Sequence, residues 1–304
     1  MTAAAEAWAA PASLQVQVAG TPMAALVGRA ERPRGVVLAL HGGGASKEYF
    51  DAPLDPSLSL LRLGPLLGWT VVAPDRPGYL TGDGAGDLPA AARTALLYGL
   101  LDAVLADSDR GAGLVLLGHS MGCLSAIRMA AAPRGAELLG LDFSGTGVRR
   151  SPAVAAALEP GETFPSRTAL GRLIWGPPEL YPPGTRAAAR TVPGPPSEGA
   201  DSSSWATEFP GLAARIAVPV RYTLAEHESW WMPGDAALAE VAAMFSAAPW
   251  VGTHLEVEAG HNLSLGRTAR AHHLRVLAFA EHCLAHRTIH AGTPIPAAHQ
   301  EAHR

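Results

Sequence analysis

A short apolar run followed by a glycine-flanked serine constrains this chain more than any other feature. Residues 114–117 read Leu-Val-Leu-Leu between two glycines, the pattern of a strand buried on both faces. Residues 118–122 then read Gly-His-Ser-Met-Gly, and apolar residues recur at helical spacing as far as residue 131. A serine on a tight strand-to-helix turn needs small neighbours, because its backbone is strained and the helix packs close to the strand. We therefore predict that the hydroxyl of Ser120 is held at a sharp bend.

Apolar runs that alternate with helical patterns extend over most of the chain. Eight runs predict strands, at residues 13–18, 23–27, 35–40, 68–73, 114–117, 136–143, 218–224 and 253–258. Helical spacing is found at residues 91–106, 124–131, 235–247 and 267–285. The first two strands indicate an opening hairpin, whereas strands that alternate with helices form a parallel sheet covered on both faces. The sequence thus predicts an α/β fold.

The alternation stops between about residue 148 and residue 216. This segment is rich in proline, with Pro-Pro pairs at residues 177–178, 182–183 and 195–196. A connection of this length within a compact domain is more often a functional lid than plain coil. We expect residues 1–147 and 217–304 to form the core and residues 148–216 to form a lid, or cap.

Composition and charge narrow the class of protein. The chain has 304 residues, of which 48% are hydrophobic and 16% charged, as in globular proteins. A net charge of -4 gives no reason to expect a nucleic acid or an anionic membrane as a partner. Apolar runs stay short of the roughly 18 residues of a membrane span, and the first dozen residues lack the basic start of a signal peptide. We expect a cytoplasmic protein, and the sequence leaves a homodimer open.

The strand, the Gly-His-Ser-Met-Gly turn and the following helix resemble the nucleophile elbow of the α/β-hydrolase superfamily, in its serine branch. The resemblance implies an α/β-hydrolase fold, with a mostly parallel central sheet of about eight strands, helices on both faces and a cap after the sixth strand. It implies that Ser120 is the nucleophile and that the acid and then the histidine follow along the chain. His261 matches that histidine, because it lies just past a predicted strand and before the last helix.

The acid of this set has three candidates. Relatives commonly carry it as the last residue of a Gly-x-x-Asp turn after the strand that precedes the penultimate helix. The corresponding residues here read Ala225-Glu-His-Glu, so Glu228 matches the acid, although alanine replaces the glycine and glutamate the aspartate. Glu226 is an alternative, and so is Asp142, because some lipase-like relatives carry the acid at the end of the preceding strand.

The oxyanion of an acyl-transfer intermediate needs two preorganised donors. The resemblance assigns one to the backbone N–H of Met121, the residue after the nucleophile. It assigns the other to the run His41-Gly-Gly-Gly, most simply to Gly43, since consecutive glycines let the backbone approach a ligand closely.

Two further groups of residues border the predicted site. The turn Asp75-Arg76-Pro-Gly-Tyr matches half of a turn that relatives place after this strand, and it predicts a structural arginine–aspartate clamp near the site. His119, inside the elbow, is predicted to be a wall or packing residue. The tryptophans near the acid loop and in the lid predict either an apolar pocket or packing of lid against core: Trp230, Trp231, Trp175 and Trp205.

These residues predict a serine hydrolase that cleaves a small-molecule ester or thioester through an acyl-enzyme. The expected partner is a small acyl substrate, and the chemistry calls for no metal and no organic cofactor. Carbon–carbon bond hydrolysis, acyl transfer and cofactor-free perhydrolysis use the same residues, so they stay open. The alternative from another class is a ligand-binding protein of this fold without turnover.

Overall fold

A computed structural model of the chain describes residues 8–52, 54–80, 88–162, 165–189 and 191–290. Residues 1–7, where the sequence predicts no signal peptide, and the last residues of the predicted core, 291–304, lie outside this part. The strands are β1 (Ala12–Val18), β2 (Thr21–Gly28), β3 (Gly35–Leu40), β4 (Trp69–Pro74), β5 (Leu114–His119), β6 (Gly140–Ser144), β7 (Val220–His227) and β8 (Val251–Gly260).

Nine α-helices lie within the described residues. They are α1 (Leu60–Leu66), α2 (Ala90–Leu105), α3 (Met121–Ala131), α4 (Pro152–Ala156), α5 (Arg167–Trp175), α6 (Thr185–Ala188), α7 (Ser197–Ala213), α8 (Asp235–Ala242) and α9 (Ala269–His290). Short 3-10 helices lie at Lys47–Phe50, Pro56–Leu58, Pro133–Glu137, Pro178–Leu180 and Leu263–Leu265. Across the described residues, none of the helices combines the length and the apolar character that a membrane span needs.

The eight strands form one sheet in the order β1-β2-β4-β3-β5-β6-β7-β8. The β1–β2 and β2–β4 pairs are antiparallel, and all the other neighbours are parallel. The predicted opening hairpin and the mostly parallel sheet of about eight strands are therefore confirmed. The carboxyl ends of β3 and β5 to β8 meet at one edge of the sheet, which is where open α/β sheets bind ligands.

Two apolar layers cover the sheet. The central strands β3 and β4 are buried along their whole length, in agreement with their unbroken apolar sequences. Side chains of α2, α3, α7 and α8 pack on one face, and side chains of α1 and α9 pack on the other. Helices on both faces confirm the predicted α/β-hydrolase architecture.

The sixth strand is shorter than the sequence suggests. Residues 136–143 predict a strand, but β6 starts only at Gly140, because Pro133 begins a 3-10 helix that extends to Glu137. Proline fits the first turn of a helix, where its missing N–H costs nothing. The apolar pair Leu138 and Leu139 is buried as predicted, but it leads into the strand.

The segment between β6 and β7 contains α4 to α7. Its last helix, α7, buries Trp205, Phe209 and Ala213 in the same core cluster as Phe143 of β6. The rings of Trp205 and Phe209 stack at a centroid distance of 4.7 Å. Trp205 is thus a packing residue of the core face. The division into a core and a lid of residues 148–216 remains a prediction, and α7 anchors the second half of that segment to the sheet layer.

Candidate active site

Ser120 occupies a strained turn between β5 and α3. Its backbone has φ 52° and ψ -122°, a conformation that residues with a side chain rarely adopt. A Cβ at Gly122 would lie 2.1 Å from the carbonyl oxygen of Leu40, and one at Gly118 would lie 2.8 Å from the Cα of Cys123. Both glycines are therefore required for the close approach of α3 to the sheet.

Three side chains that the sequence singles out each follow directly after a strand. Ser120 follows β5, Glu228 follows β7, and His261 follows β8. His227 and Gly260, the last residues of β7 and β8, are paired across the sheet, so the next residues leave it side by side. The parallel sheet thereby collects residues from distant parts of the chain at one edge.

The three side chains form a continuous hydrogen-bonded chain. His261 Nε2 lies 3.0 Å from Ser120 Oγ, and His261 Nδ1 lies 2.8 Å from Glu228 Oε2. His261 and Glu228 are buried. A carboxylate only accepts hydrogen bonds, so Nδ1 carries the proton and Nε2 is left to accept the serine hydroxyl. Glu228 Oε1 also accepts the backbone N–H of Trp230 at 2.8 Å, which fixes the carboxylate.

The two alternative acids lie elsewhere. Glu226 is exposed at the end of β7, and its Oε2 accepts the backbone N–H of Glu258 at 2.8 Å. Asp142 is fully buried within β6, and its Oδ2 lies 2.8 Å from Nε of Arg221 on β7. Its burial raises the pKa of Asp142 to about 6. Among the three candidate acids, Glu228 is the one in contact with His261.

The sequence profile described as the alpha/beta hydrolase family matches residues 36–273, which include all three of these side chains. The chain belongs to the alpha/beta hydrolase family. A search of curated protein sequences finds no match.

Solved structures of hydrolases resemble this one in fold. A thermostable carboxyl esterase from Bacillus coagulans superposes with a TM-score of 0.63 at 18% identity, covering 91% of this chain and 99% of that chain. A soluble variant of monoglyceride lipase from Saccharomyces cerevisiae gives 0.63 at 15% identity, covering 90% and 96%. The thioesterase domain from the curacin biosynthetic pathway gives 0.55 at 17% identity, covering 88% and 100%. At these identities, the likeness establishes the fold that this hydrolase shares with them.

The glycine run after β3 lies against the elbow. A Cβ at Gly42 would lie 3.0 Å from the Cβ of Ser120, and one at Gly43 would lie 3.1 Å from the Cγ of Met121. Met121 is the first residue of α3, so its N–H has no acceptor within the helix. Side chains at residues 42 and 43 would occupy the space between loop and elbow. The two predicted oxyanion donors, Met121 and Gly43, are therefore neighbours beside Ser120.

A buried polar network holds this glycine loop. His41 Nδ1 donates to the carbonyl oxygen of Gly42 at 2.8 Å, while its Nε2 accepts the backbone N–H of Arg76 at 3.1 Å. Burial and the nearby Arg76 keep the pKa of His41 well below its usual value, so the ring is neutral. Arg76 Nη2 also donates to the Gly42 carbonyl at 3.2 Å, and the Tyr79 hydroxyl accepts the N–H of Gly44 at 3.2 Å.

Glu198, at the start of α7, closes the network. Its Oε1 lies 2.5 Å from Arg76 Nη2, and its Oε2 accepts the Tyr79 hydroxyl at 2.7 Å. The predicted clamp between Asp75 and Arg76 is wrong in its pairing. Asp75 binds Lys47 at 2.7 Å instead, and Arg76 binds Glu198. Tyr79 belongs to the turn that the sequence singles out, although no role is predicted for it, whereas Glu198 is 119 residues from Tyr79 and no local pattern indicates it.

Ser120 opens into a cavity of about 580 Å³, here called the site cavity. Its wall includes Met121, His261, Trp230 and Trp231. A second space of about 360 Å³, the apolar chamber, adjoins it. Side chains of α5 and of the loops around it line the chamber, namely Leu54, Leu58, Leu170, Ile174, Trp175 and Leu265. Leu170 and Ile174 of α5 border both spaces, as do Tyr49 and Asn262, so the two spaces adjoin along these residues.

The tryptophans that the sequence singles out, and His119, have separate roles. Trp230 and Trp231 line the site cavity and Trp175 lines the apolar chamber, as the pocket alternative predicts. Trp205 instead packs in the core, as the other alternative predicts. His119 borders the site cavity and stacks on Tyr49 at a centroid distance of 4.8 Å. Burial keeps the pKa of His119 well below its usual value, in agreement with a neutral wall residue.

Proposed function

We propose that this hydrolase cleaves an ester or thioester of a small molecule through an acyl-enzyme. The observation that carries the proposal is the chain of contacts from Ser120 Oγ to His261 at 3.0 Å and on to Glu228 at 2.8 Å. A hydroxyl in contact with an imidazole that a carboxylate orients is equipped for nucleophilic attack. Because the chemistry is complete in these groups, we propose that it uses neither a metal nor an organic cofactor.

The proposed reaction has two halves. Ser120 Oγ attacks the acyl carbonyl while His261 Nε2 takes the hydroxyl proton, and Glu228 stabilises the imidazolium that forms. The N–H groups of Met121 and Gly43 bind the oxyanion. Collapse of the intermediate breaks the bond to the alcohol or thiol, which receives the proton from His261. In the second half, His261 deprotonates a water that attacks the acyl-enzyme, and the acid leaves as Ser120 regains its proton.

The two adjoining spaces favour an acyl substrate with an apolar part. The site cavity holds the reacting groups, and the apolar chamber adjoins it along Leu170 and Ile174. An apolar space of about 360 Å³ suits an acyl chain of medium length. We therefore expect kcat/KM for p-nitrophenyl esters to rise with the length of the acyl chain until the chamber is filled.

The decisive experiment is active-site labelling with a fluorophosphonate. Intact-mass and peptide analysis should find one adduct on Ser120, and Ser120→Ala should lower kcat by about 10⁶-fold and abolish the adduct. Ser125→Ala, on α3 just after the elbow, is the matched control and should keep both the kcat and the adduct on Ser120. A folded protein without an adduct on Ser120 would refute the proposal. An adduct without hydrolysis of any p-nitrophenyl ester or acyl thioester would instead favour acyl transfer or carbon–carbon bond cleavage.

A further inference from the structure

The site cavity contains an arginine that the proposed reaction does not use. Arg150, two residues before α4, lines the same cavity as Ser120 and His261. Its guanidinium carbon lies 4.8 Å from the centre of the Trp230 ring, and its Nη2 donates to Ser202 Oγ of α7 at 3.2 Å. Its backbone also bridges to that of Trp231. The head group is therefore held in place between α7 and the loop after β7 that carries Glu228 and Trp230.

Within the part of the chain that the structure describes, no carboxylate lies within ion-pair distance of Arg150. Its neighbour Arg149 binds Glu240 at 2.8 Å, and Arg76 binds Glu198 at 2.5 Å. Partial burial lowers the pKa of Arg150. Arg150 is exposed at the cavity wall, and its head group has no counter-charge among the described residues, so an anion that binds there gains a charge-assisted hydrogen bond.

The charges of the cavity wall do not cancel. The one carboxylate on the described wall is Glu198, and it is already neutralised by Arg76. On the described part of the wall, the guanidinium of Arg150 is thus the uncompensated positive charge, and it lies beside the Ser202 hydroxyl. A planar guanidinium binds a carboxylate through two parallel hydrogen bonds, which a single hydroxyl can supplement.

We infer that the substrate of this hydrolase carries a carboxylate, bound by Arg150 and Ser202, in addition to the acyl bond that Ser120 attacks. The inference rests on the hydrolase activity proposed above and specifies its substrate class. A doubly charged phosphate would need more than one free cation, whereas the wall supplies one charge. Arg150 is then a specificity-determining residue.

The test compares substrates that differ only in charge. Mono-p-nitrophenyl glutarate carries a carboxylate on the acyl part, and p-nitrophenyl pentanoate is its neutral match. 4-Carboxyphenyl pentanoate and phenyl pentanoate place the same difference on the leaving group. For one of these pairs, kcat/KM of the wild type should be about tenfold higher for the anionic member, the low end for a charge-assisted hydrogen bond that is partly exposed. The preference should shrink as the salt concentration rises.

Arg150→Gln should lower kcat/KM for the favoured anionic ester by about tenfold and leave its neutral match within about twofold. Arg150→Lys should retain part of the preference for the anionic ester, since lysine keeps the positive charge but cannot form the two parallel hydrogen bonds of a guanidinium. Arg149→Gln is the matched control, because Arg149 is exposed and outside the cavity wall. Arg149→Gln should leave kcat/KM unchanged for both the anionic and the neutral ester. Equal rates for anionic and neutral esters in the wild type would overturn the inference while leaving the hydrolase activity intact.

A binding measurement separates this inference from the proposed function. Calorimetry with the Ser120→Ala protein should find mono-p-nitrophenyl glutarate or 4-carboxyphenyl pentanoate bound about tenfold more tightly than its neutral match. The double variant with Arg150→Gln should lose that difference. If no ester is hydrolysed, the proposed function fails, and this binding difference still decides whether Arg150 recognises a carboxylate. Equal binding of charged and neutral esters would refute it.

Discussion

Glu228 and Asp142 are both buried carboxylates with a basic partner at 2.8 Å, yet they occupy two different regions. Glu228 lies just past the end of β7, where His261 connects it to Ser120 and the site cavity. Asp142 lies inside β6, on the face covered by α9, where Arg221 is its partner. A Cβ at Gly140, which shares that face, would lie 2.5 Å from Cys283 of α9.

The comparison shows that position along a parallel strand decides what a buried carboxylate can do. At the strand end, the chain leaves the sheet and brings side chains from several strands together around a cavity. In the middle of the strand, a helix covers the carboxylate, and its charge becomes a cost that Arg221 only partly offsets. In the proposed reaction, the carboxylate of Glu228 therefore serves catalysis, whereas that of Asp142 serves only the fold.

Substitutions of the two carboxylates should differ most in their effect on kcat. Glu228→Gln should lower kcat by about 10⁴-fold, because the amide no longer favours the productive tautomer of His261 or stabilises its cation. Asp142→Asn should leave kcat within about threefold, since Asp142 has no contact with His261. Glu226→Gln is the matched control for the acid loop and should also keep activity. A loss of kcat confined to Asp142→Asn or Glu226→Gln would show that the acid has been misassigned.

The second expected effect is on stability, and it compares the buried ion pair of Asp142 with an exposed ion pair. Arg221→Met removes the cation that partly offsets the buried charge of Asp142, and we expect the free energy of unfolding at pH 7 to fall by about 3 kcal/mol. The kcat of the folded fraction should stay within about threefold. Arg149→Met breaks an exposed pair with Glu240 and should cost less than about 1 kcal/mol. Urea unfolding measures both variants, and equal losses would mean that the buried pair is no more important than the exposed one.

The region around Ser120 is largely predictable from the sequence, because local patterns mark it. The apolar run before Ser120, the glycines around it and the strands before Glu228 and His261 are all readable within a few residues. The role of Glu198 cannot be predicted in this way, because Glu198 lies on a helix with no clear apolar period. Its partner Tyr79 is 119 residues away. Which residue pairs with Arg76 depends on how α7 packs on the sheet, and this is a property of the whole fold.

A substitution at Tyr79 tests whether the buried polar network beside the glycine loop affects the reaction. The buried pair of Asp142 and Arg221 should not affect it. Tyr79→Phe removes the acceptor of the Gly44 N–H and should loosen the glycine loop, lowering kcat about tenfold with little change in KM. Tyr98→Phe is the matched control, because its hydroxyl donates to the Met129 carbonyl far from the cavity. Both variants should lose about 1 kcal/mol of stability. Equal kcat values for the two variants would exclude a positioning role for Tyr79.

The smallest expected effect is the pH dependence that Asp142 gives to stability. Its pKa in the folded protein is raised by burial from 3.8 to about 6, so the folded state holds this proton more tightly than the unfolded state. The contribution to stability is therefore full below about pH 4 and is lost as the pH rises through 6. Between pH 7 and pH 5, the wild type should gain about 1 kcal/mol relative to Asp142→Asn. Urea unfolding of both proteins at each pH isolates this group, because every other titration cancels in the difference. A difference that is constant with pH would mean that Arg221 compensates the Asp142 charge fully, and the contrast with Glu228 would then rest on location alone.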